Sequence, residues 1–226
     1  MNAVTRGALP PPGWLVEDLG PDTVAEPDAV ARYASRFGTI SDRDGGSVWP
    51  IAARASSGTF SMTAAAAPLH TDAQYRDHPE DAFILACVRP ATVDGDTVLL
   101  TVAELVDTLA SRHDWPELEA ALTAPLWQWR TPAVFDGPET NSPTAVLSWR
   151  PDSSPLMRWR YDNLVQNEEH AWAAKIVADV ASTHPATRII RLEAGQVLVC
   201  DNAAVLHGRT AFTDHNRMLW RVRVHR

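Results

Sequence analysis

The stretch Leu198-Val199-Cys200-Asp201-Asn202-Ala203-Ala204-Val205-Leu206-His207-Gly208-Arg209-Thr210 decides the fold class. Two apolar runs flank Asp201-Asn202, residue types whose short polar side chains bond back to their own backbone and favour turns. The reading is strand, Asx-type turn, strand, with His207 carried on a rigid extended element of an antiparallel sheet.

Working outward, the chain keeps supplying short strands. Phe83-Ile84-Leu85-Ala86-Cys87-Val88 is a continuous apolar run of the kind a strand buried on both faces requires, and Val98-Leu99-Leu100 is another. Alternation marks residues 126–130, 145–149 and 157–161, then 189–192, 196–200 and 218–224, the last alternating long apolar and arginine side chains. Trp14-Leu15-Val16 reads as a short edge strand in an irregular lead-in over residues 1–27. Helices come in blocks. Asp28 caps one running to Phe37, ended by Gly38; Thr101 caps another over 102–111, with Glu104 completing a capping box; a third starts near Trp115-Pro116-Glu117; Asn167 caps the longest, to about Thr183. Many short strands with inserted helices predict a mainly β protein, a double-stranded β-helix (jelly roll) in the α+β sense. A parallel doubly wound sheet fits worse, because helices and strands do not alternate regularly.

At 226 residues the chain suits one domain, 1–226, with 45% hydrophobic and 21% charged residues. A formal net charge of −8 without a long basic run argues against nucleic acid or an anionic membrane as the main partner. Cys87 and Cys200 sit in apolar runs and read as buried reduced thiols. No apolar h-region opens the chain and no run approaches a membrane span, so a cytoplasmic protein is expected. Residues 38–64, rich in Gly, Ser and Asp, read as an active-site loop and candidate lid.

The chemistry starts at Leu69-His70-Thr71-Asp72. On an extended segment His70 and Asp72 point to one face and can grip one metal ion. The motif alone is weak: 8 histidines and 28 acids in 226 residues give about one His-x-acid by composition, and His78-Pro79-Glu80 is a decoy. A third ligand is available at His207. Two imidazoles and one carboxylate suit non-haem Fe(II), leaving positions for a co-substrate and O2.

The ordered set Leu-His-Thr-Asp at 69–72, Gly95-Asp96-Thr97, Asp201-Asn202…Val205-Leu206-His207-Gly208-Arg209-Thr210-Ala211-Phe212 and Arg217-x-x-x-Arg221 resembles the Fe(II)/2-oxoglutarate-dependent dioxygenases of the taurine dioxygenase (TauD/TfdA) type. Thr97 lies 27 positions after His70 and Arg217 lies 10 after His207, an order and spacing similar to that family's. A narrower resemblance, carried by residues 70–73, 84–90 and Arg160-Tyr161-Asp162, is to clavaminate synthase-like amino-acid hydroxylases. The chain is shorter than those and has Asp72 where many of them have glutamate.

The resemblance implies His70, Asp72 and His207 as iron ligands and Thr97 and Arg217 as the clamp on the far carboxylate of 2-oxoglutarate. A planar guanidinium matches a carboxylate bidentately, as lysine cannot. Arg221, on the same strand face, is a second candidate for an anion of co-substrate or substrate. Gln74, Arg160 and Asp162 are the substrate-binding candidates, beside Tyr75, Arg76 and Arg158. Trp149, Trp220 and Cys200 are assigned to the core, and His78, His113, His170, His184, His215 and His225 to the surface. The implied activity is hydroxylation, oxidative cyclisation or desaturation of a C–H bond in a small amino-acid-like substrate. A sulfonate or other small organic acid is the alternative substrate, and a catalytically silent ligand-binding jelly roll the alternative class. A homo-oligomer is compatible with the sequence.

Overall fold

In the computed structural model, residues 9–43, 46–53, 60–135 and 137–226 are described. Twelve strands and five helices occur among them: β1 (Trp14–Asp18), α1 (Pro21–Ala25), α2 (Pro27–Ala34), β2 (Thr39–Ile40), β3 (Trp49–Ile51), β4 (Ala67–His70), β5 (Ala82–Arg89), β6 (Thr97–Thr101), α3 (Val102–Ala110), α4 (Trp115–Thr123), β7 (Leu147–Trp149), β8 (Pro155–Met157), α5 (Ala171–Ser182), β9 (Arg188–Ile190), β10 (Gln196–Asp201), β11 (Val205–Arg209) and β12 (Met218–His225). The protein is mainly β, and the strand pairs are antiparallel.

One sheet runs β1-β10-β5-β12-β2, with β3 also on β12; the other runs β4-β11-β6-β9. From β3 to β6, and again from β9 to β12, each successive strand crosses to the opposite sheet. The Asp201–Ala204 turn is one such crossing, held by Asp201 Oδ1, which accepts from the amides of Ala203 and Ala204.

Side-chain parity explains the layers. Phe83, Leu85 and Cys87 of β5 pack with Leu99, Val205 and Leu219 between the sheets. The alternate residues Ala82, Ile84 and Ala86 pack outward on Val24, Val30, Tyr33 and Phe37 of the α1–α2 region. This double burial is why β5 reads as an unbroken apolar run. Beyond the second sheet, Leu100 and Leu206 pack against α3, α4, α5 and the β7–β8 hairpin, around Trp129, Trp159 and Trp127.

Local signals fared unevenly. Thr101 caps α3 as expected, Glu104 N donating to Thr101 Oγ1 at 3.2 Å, while Glu104 Oε2 accepts from the Thr101 hydroxyl at 2.6 Å rather than from its backbone amide as a full capping box would have it. The edge strand at Trp14 extends to Asp18 and pairs with β10. In α2, Pro27 takes the first helical position and Glu26 the cap, two residues before Asp28, because proline's fixed φ suits N1. α5 starts at Ala171, since Asn167 turns the chain by accepting from Glu169 N and His170 becomes the cap. Residues 126–130 form only isolated bridges, and 158–161 lie outside β8. Pro125, Pro132 and Pro143 remove ladder donors there, and the Asn141 side chain, not a strand, accepts from Trp129 N.

Two histidines read as surface residues are buried. His184 lies 2.7 Å from Thr108 Oγ1, and His170 packs on the Trp127 ring. Conversely Trp149, read as core, is 43% exposed, because it sits on the outer face of the two-stranded β7–β8 hairpin. Both cysteines are free and buried. No helix among the described residues is long and apolar enough to cross a membrane. Of the 38–64 loop, residues 44, 45 and 54–59 lie outside the described residues; the rest contributes β2, β3 and a 3-10 turn at Phe60–Met62.

Candidate active site

His70 ends β4 and is the register partner of His207 on β11, so both imidazoles stand on the inner face of the second sheet with ring centroids 4.3 Å apart. Asp72 is not on the strand: it follows in a turn whose next residue, Ala73, has φ 56°. The turn brings its Oδ1 to 3.9 Å from His70 Nε2 and 3.8 Å from His207 Nε2. These distances are too long for hydrogen bonds and suit three donors grouped about one centre. Ligand atoms of His70, Asp72 and His207 all lie within 4.8 Å of one another, and all three residues are buried.

Protonation agrees with the geometry. His70 Nδ1 lies 2.8 Å from Pro68 O, an obligate acceptor, so Nδ1 carries the proton and Nε2 keeps its lone pair. His207 Nδ1 is buried without a hydrogen-bond partner among the described residues. Burial lowers the pKa of both imidazoles, His207 strongly, with His70 adding to its shift. Burial alone would raise the Asp72 carboxyl, but the Arg221 and Arg223 guanidiniums outweigh it and hold it well below the usual range. The set is two neutral nitrogens and one anionic oxygen, which fits a divalent cation such as Fe(II).

Asp72 Oδ2 accepts from Arg221 NH1 at 3.0 Å and lies 3.4 Å from Arg223 Nε, whereas Oδ1 faces the imidazoles and lies 3.4 Å from Arg221 NH1. Arg217, Leu219, Arg221 and Arg223 share one face of the β12 segment, as the alternation predicts, because the bulge at Met218/Leu219 is absorbed by β5, where Val88 is skipped. Arg223 is buried as well.

A cavity of about 520 Å³, its mouth included, is lined by His70, Phe83, Leu85, Thr97, His207, Arg209, Arg217, Leu219 and Arg221. Thr97 is buried on β6, in register with Arg209. Arg217 is 4% exposed; its Nε donates to Gly95 O at 3.0 Å, while NH1 is buried with no hydrogen-bond partner among the described residues. Gly95 has φ 71°, and a Cβ there would lie 3.0 Å from Arg217 Cδ and Nε, so only glycine lets the guanidinium lie close. Arg209 and Arg217 both lie over the Phe212 ring, at 4.9 and 5.1 Å. Burial, then Arg217, push the Arg209 pKa down to about 10. Two desolvated guanidiniums on one ring form a ready anion site.

A second cavity shares Ser61, His70 and Arg221 with the first and adds Arg43, Asp72, Tyr75, Phe135, Arg160 and Arg223. Arg160 lines it and donates from Nε and NH2 to the two oxygens of Asp162, each at 2.8 Å. Gln74 points elsewhere: it is buried and donates to Asn163 Oδ1, so it acts as a brace between loops. Arg158 likewise holds the carbonyls of Arg76 and Asp77. Tyr75 lines the cavity, its hydroxyl accepting from Arg43 NH1 at 2.8 Å.

Sequence reasoning missed the group that fixes the Asp72 turn. Asn202 Oδ1 accepts from Asp72 N at 2.7 Å, and its Nδ2 donates to Asp72 O at 3.0 Å and to Glu80 O at 2.9 Å. Thr71 is pinned in turn by Trp159, N to O at 2.7 Å. The Asx-turn reading located Asn202 but assigned its side chain to its own turn; its partners are 130 positions away.

The two facing antiparallel sheets, with a buried 2-His-1-carboxylate cluster beside an arginine anion pocket, define a metal-dependent oxygenase class of site. The model of the "Taurine catabolism dioxygenase TauD, TfdA family" matches residues 15–223, and the chain belongs to that family of Fe(II)/2-oxoglutarate-dependent dioxygenases. Among solved structures, an asparagine oxygenase in complex with Fe(II), 2S,3S-3-hydroxyasparagine and succinate is similar with TM-score 0.76 at 21% identity, over 94% of this chain and 74% of that one. The non-heme iron oxygenase OrfP, in complex with Fe, succinate and (3S)-hydroxy-L-Arg, gives 0.68 at 18%, over 94% and 74%. PvcB of Pseudomonas aeruginosa gives 0.66 at 19%, over 95% and 76%. At these identities the likeness speaks to the fold. No curated protein matches the chain.

Proposed function

We propose that the chain is a non-haem Fe(II)/2-oxoglutarate oxygenase that hydroxylates a C–H bond of a small amino-acid-like molecule, built on a single double-stranded β-helix domain. The observation that carries the reading is the His70/Asp72/His207 cluster opening onto the cavity lined by Arg217, whose NH1 has no hydrogen-bond partner among the described residues. Bound iron with 2-oxoglutarate supplies the oxidising chemistry, with O2 consumed and succinate and CO2 formed.

The chain's own residues do the rest. His70 and His207 offer Nε2 as neutral donors, and Asp72 offers Oδ1 while Oδ2 is the oxygen that Arg221 and Arg223 engage most closely, which favours one-oxygen ligation. Arg217, with Thr97 and Arg209, takes the far carboxylate of the co-substrate. Phe83, Leu85 and Leu219 line the cavity with apolar surface and exclude water. Arg160 lines the second cavity and, released from Asp162, suits the carboxylate of an amino acid, which leaves Asp162 open to its amino group. The solved relatives holding hydroxylated asparagine and hydroxylated arginine support this substrate class over a sulfonate. The two unpaired cysteines agree with a reducing, cytoplasmic setting.

The test is anaerobic optical titration with Fe(II), then 2-oxoglutarate. A visible charge-transfer band that Asp72→Ala abolishes is expected. Stoichiometric iron binding without the band would favour the silent binder, and no iron binding would return both histidines to the core.

A further inference from the structure

A third cavity lies on the outer face of the second sheet, away from the His70/Asp72/His207 cluster. Thr97 and Leu99 of β6 face the space between the sheets, so Val98 between them points outward. There Val98 and Leu69 look across to Ala178 and Ala181 of α5, and Trp159 and Tyr161 complete the walls of a space of about 910 Å³, its mouth included. Alanine at both α5 positions leaves open the volume that larger side chains would fill. Ile189, the register partner of Val98, continues the apolar surface beside it at 64% exposure.

The walls are apolar and aromatic, and among the described residues that line them Asp162 carries the charge. The Trp159 and Tyr161 rings stack with centroids 6.1 Å apart, and Tyr161 is 41% exposed, so part of its surface is open to a ligand. Burial raises the Asp162 carboxyl, but the bonds and charge of Arg160 outweigh this and hold it below the usual range, so it is ionised. Arg160 donates to each of its oxygens at 2.8 Å; a carboxylate offers about four acceptor positions, which leaves room for a further donor. Arg160 itself lines the cavity beside Asp72, so the pair stands between the two spaces with its acid on the outer one.

A carboxylate and aromatic faces both attract a cation, and apolar walls reward a ligand that brings a body to cover them. We propose that this cavity binds a protonated primary amine whose apolar body has the size of an aromatic ring or a branched alkyl chain, its ammonium donating to Asp162. A carboxylate head would meet the like charge of Asp162, and a bare inorganic cation would leave the walls uncovered. The test needs neither iron nor 2-oxoglutarate, so this site stands or falls apart from the functional reading above.

Phenethylamine, phenethyl alcohol and hydrocinnamate share a phenyl-ethyl body and carry a cationic, a neutral and an anionic head. Calorimetric titration of the full chain at neutral pH is expected to show the amine at least about tenfold tighter than the alcohol, and the acid weaker than either. Asp162→Asn should bring the amine to within about threefold of the alcohol. Ala178→Leu places the bulk of a good helix former in the cavity from a partly exposed position on α5, and should weaken amine and alcohol alike by at least about tenfold. Thermal melts establish that each variant folds, and the three ligands on the wild-type chain decide the matter should a variant not. The alcohol or the acid binding as tightly as the amine, an amine affinity unmoved in either folded variant, or no amine binding at millimolar concentration would overturn the proposal.

Discussion

Arg217→Ala is the perturbation whose size the structure lets us work out. The wild-type guanidinium is buried, lies over Phe212, is aimed by Gly95 O, and leaves NH1 without a hydrogen-bond partner among the described residues. Removing it takes no partner from another charged side chain, so the fold should survive; the loss falls on the anion it awaits. Truncating one side of a buried hydrogen-bonded charge pair costs roughly 2–5 kcal/mol. Arg209, over the same ring, keeps part of the positive potential, which places the expected loss near 3 kcal/mol, on the order of 100-fold in the 2-oxoglutarate dissociation constant. Arg217→Lys keeps the charge but not the planar fork and should lose about tenfold. The assay is the anaerobic charge-transfer titration, with iron affinity measured separately and expected unchanged. A 2-oxoglutarate affinity within about threefold of wild type in Arg217→Ala would refute the clamp and move it to Arg209 or Arg221.

Three further outcomes are expected. Asn202→Ala strips partners from Asp72 N, Asp72 O and Glu80 O, all in a buried turn; it should cost about 2–4 kcal/mol in a denaturant melt and weaken iron binding about 10–100-fold, and an iron affinity equal to wild type would show that Asn202 does not position the ligand. Gly208→Ala would put a Cβ 2.5 Å from Ala67 O, forcing β11 off β4 at the His70–His207 pair; thermal melts should show about 1–3 kcal/mol lost, and an unchanged melting temperature would contradict the close approach. Glu104 is held down to about 2 from 4.5, chiefly by its hydrogen bond to Arg188, so its contribution is present above about pH 4.5 and is lost as pH falls through about 2; after allowance for its partial exposure this is about 1–2 kcal/mol, and Glu104→Gln should flatten that part of the acid limb.

What could be read from the sequence was whatever depended on periodicity or on a short interval along the chain. The double burial of 83–88, the helix cap at Thr101 and the alternation that puts Arg217 and Arg221 on one face are all local, and each is found in the structure. His207 facing His70 could be expected in kind but not in register, which the pairing of β4 with β11 fixes across more than half the chain. Gln74 shows the limit in the other direction: a polar residue two places from Asp72 looked like a substrate contact and is a loop brace. Asn202 and Arg223 went unassigned because their partners are set by tertiary contact. Asn202 was credited with its own turn, and Arg223 was one of several arginines in an alternating strand. Around Trp127 and Trp129 the alternation was real but proline removed the ladder, so side chains share a face without a sheet.

The split loyalty of Asp72 has a mechanical side. Both imidazoles belong to one sheet, while Arg221 and Arg223 belong to the other, and Asp72 bridges them from a turn attached to the first. The corner proposed to hold the metal is therefore a rivet across the seam of the sandwich. A breathing motion that separates the sheets by an ångström or two would leave each sheet's hydrogen bonding intact and yet break the contact between Asp72 and its arginines. Loss of metal should accordingly precede loss of structure on heating, and whatever tightens the seam should hold the metal longer.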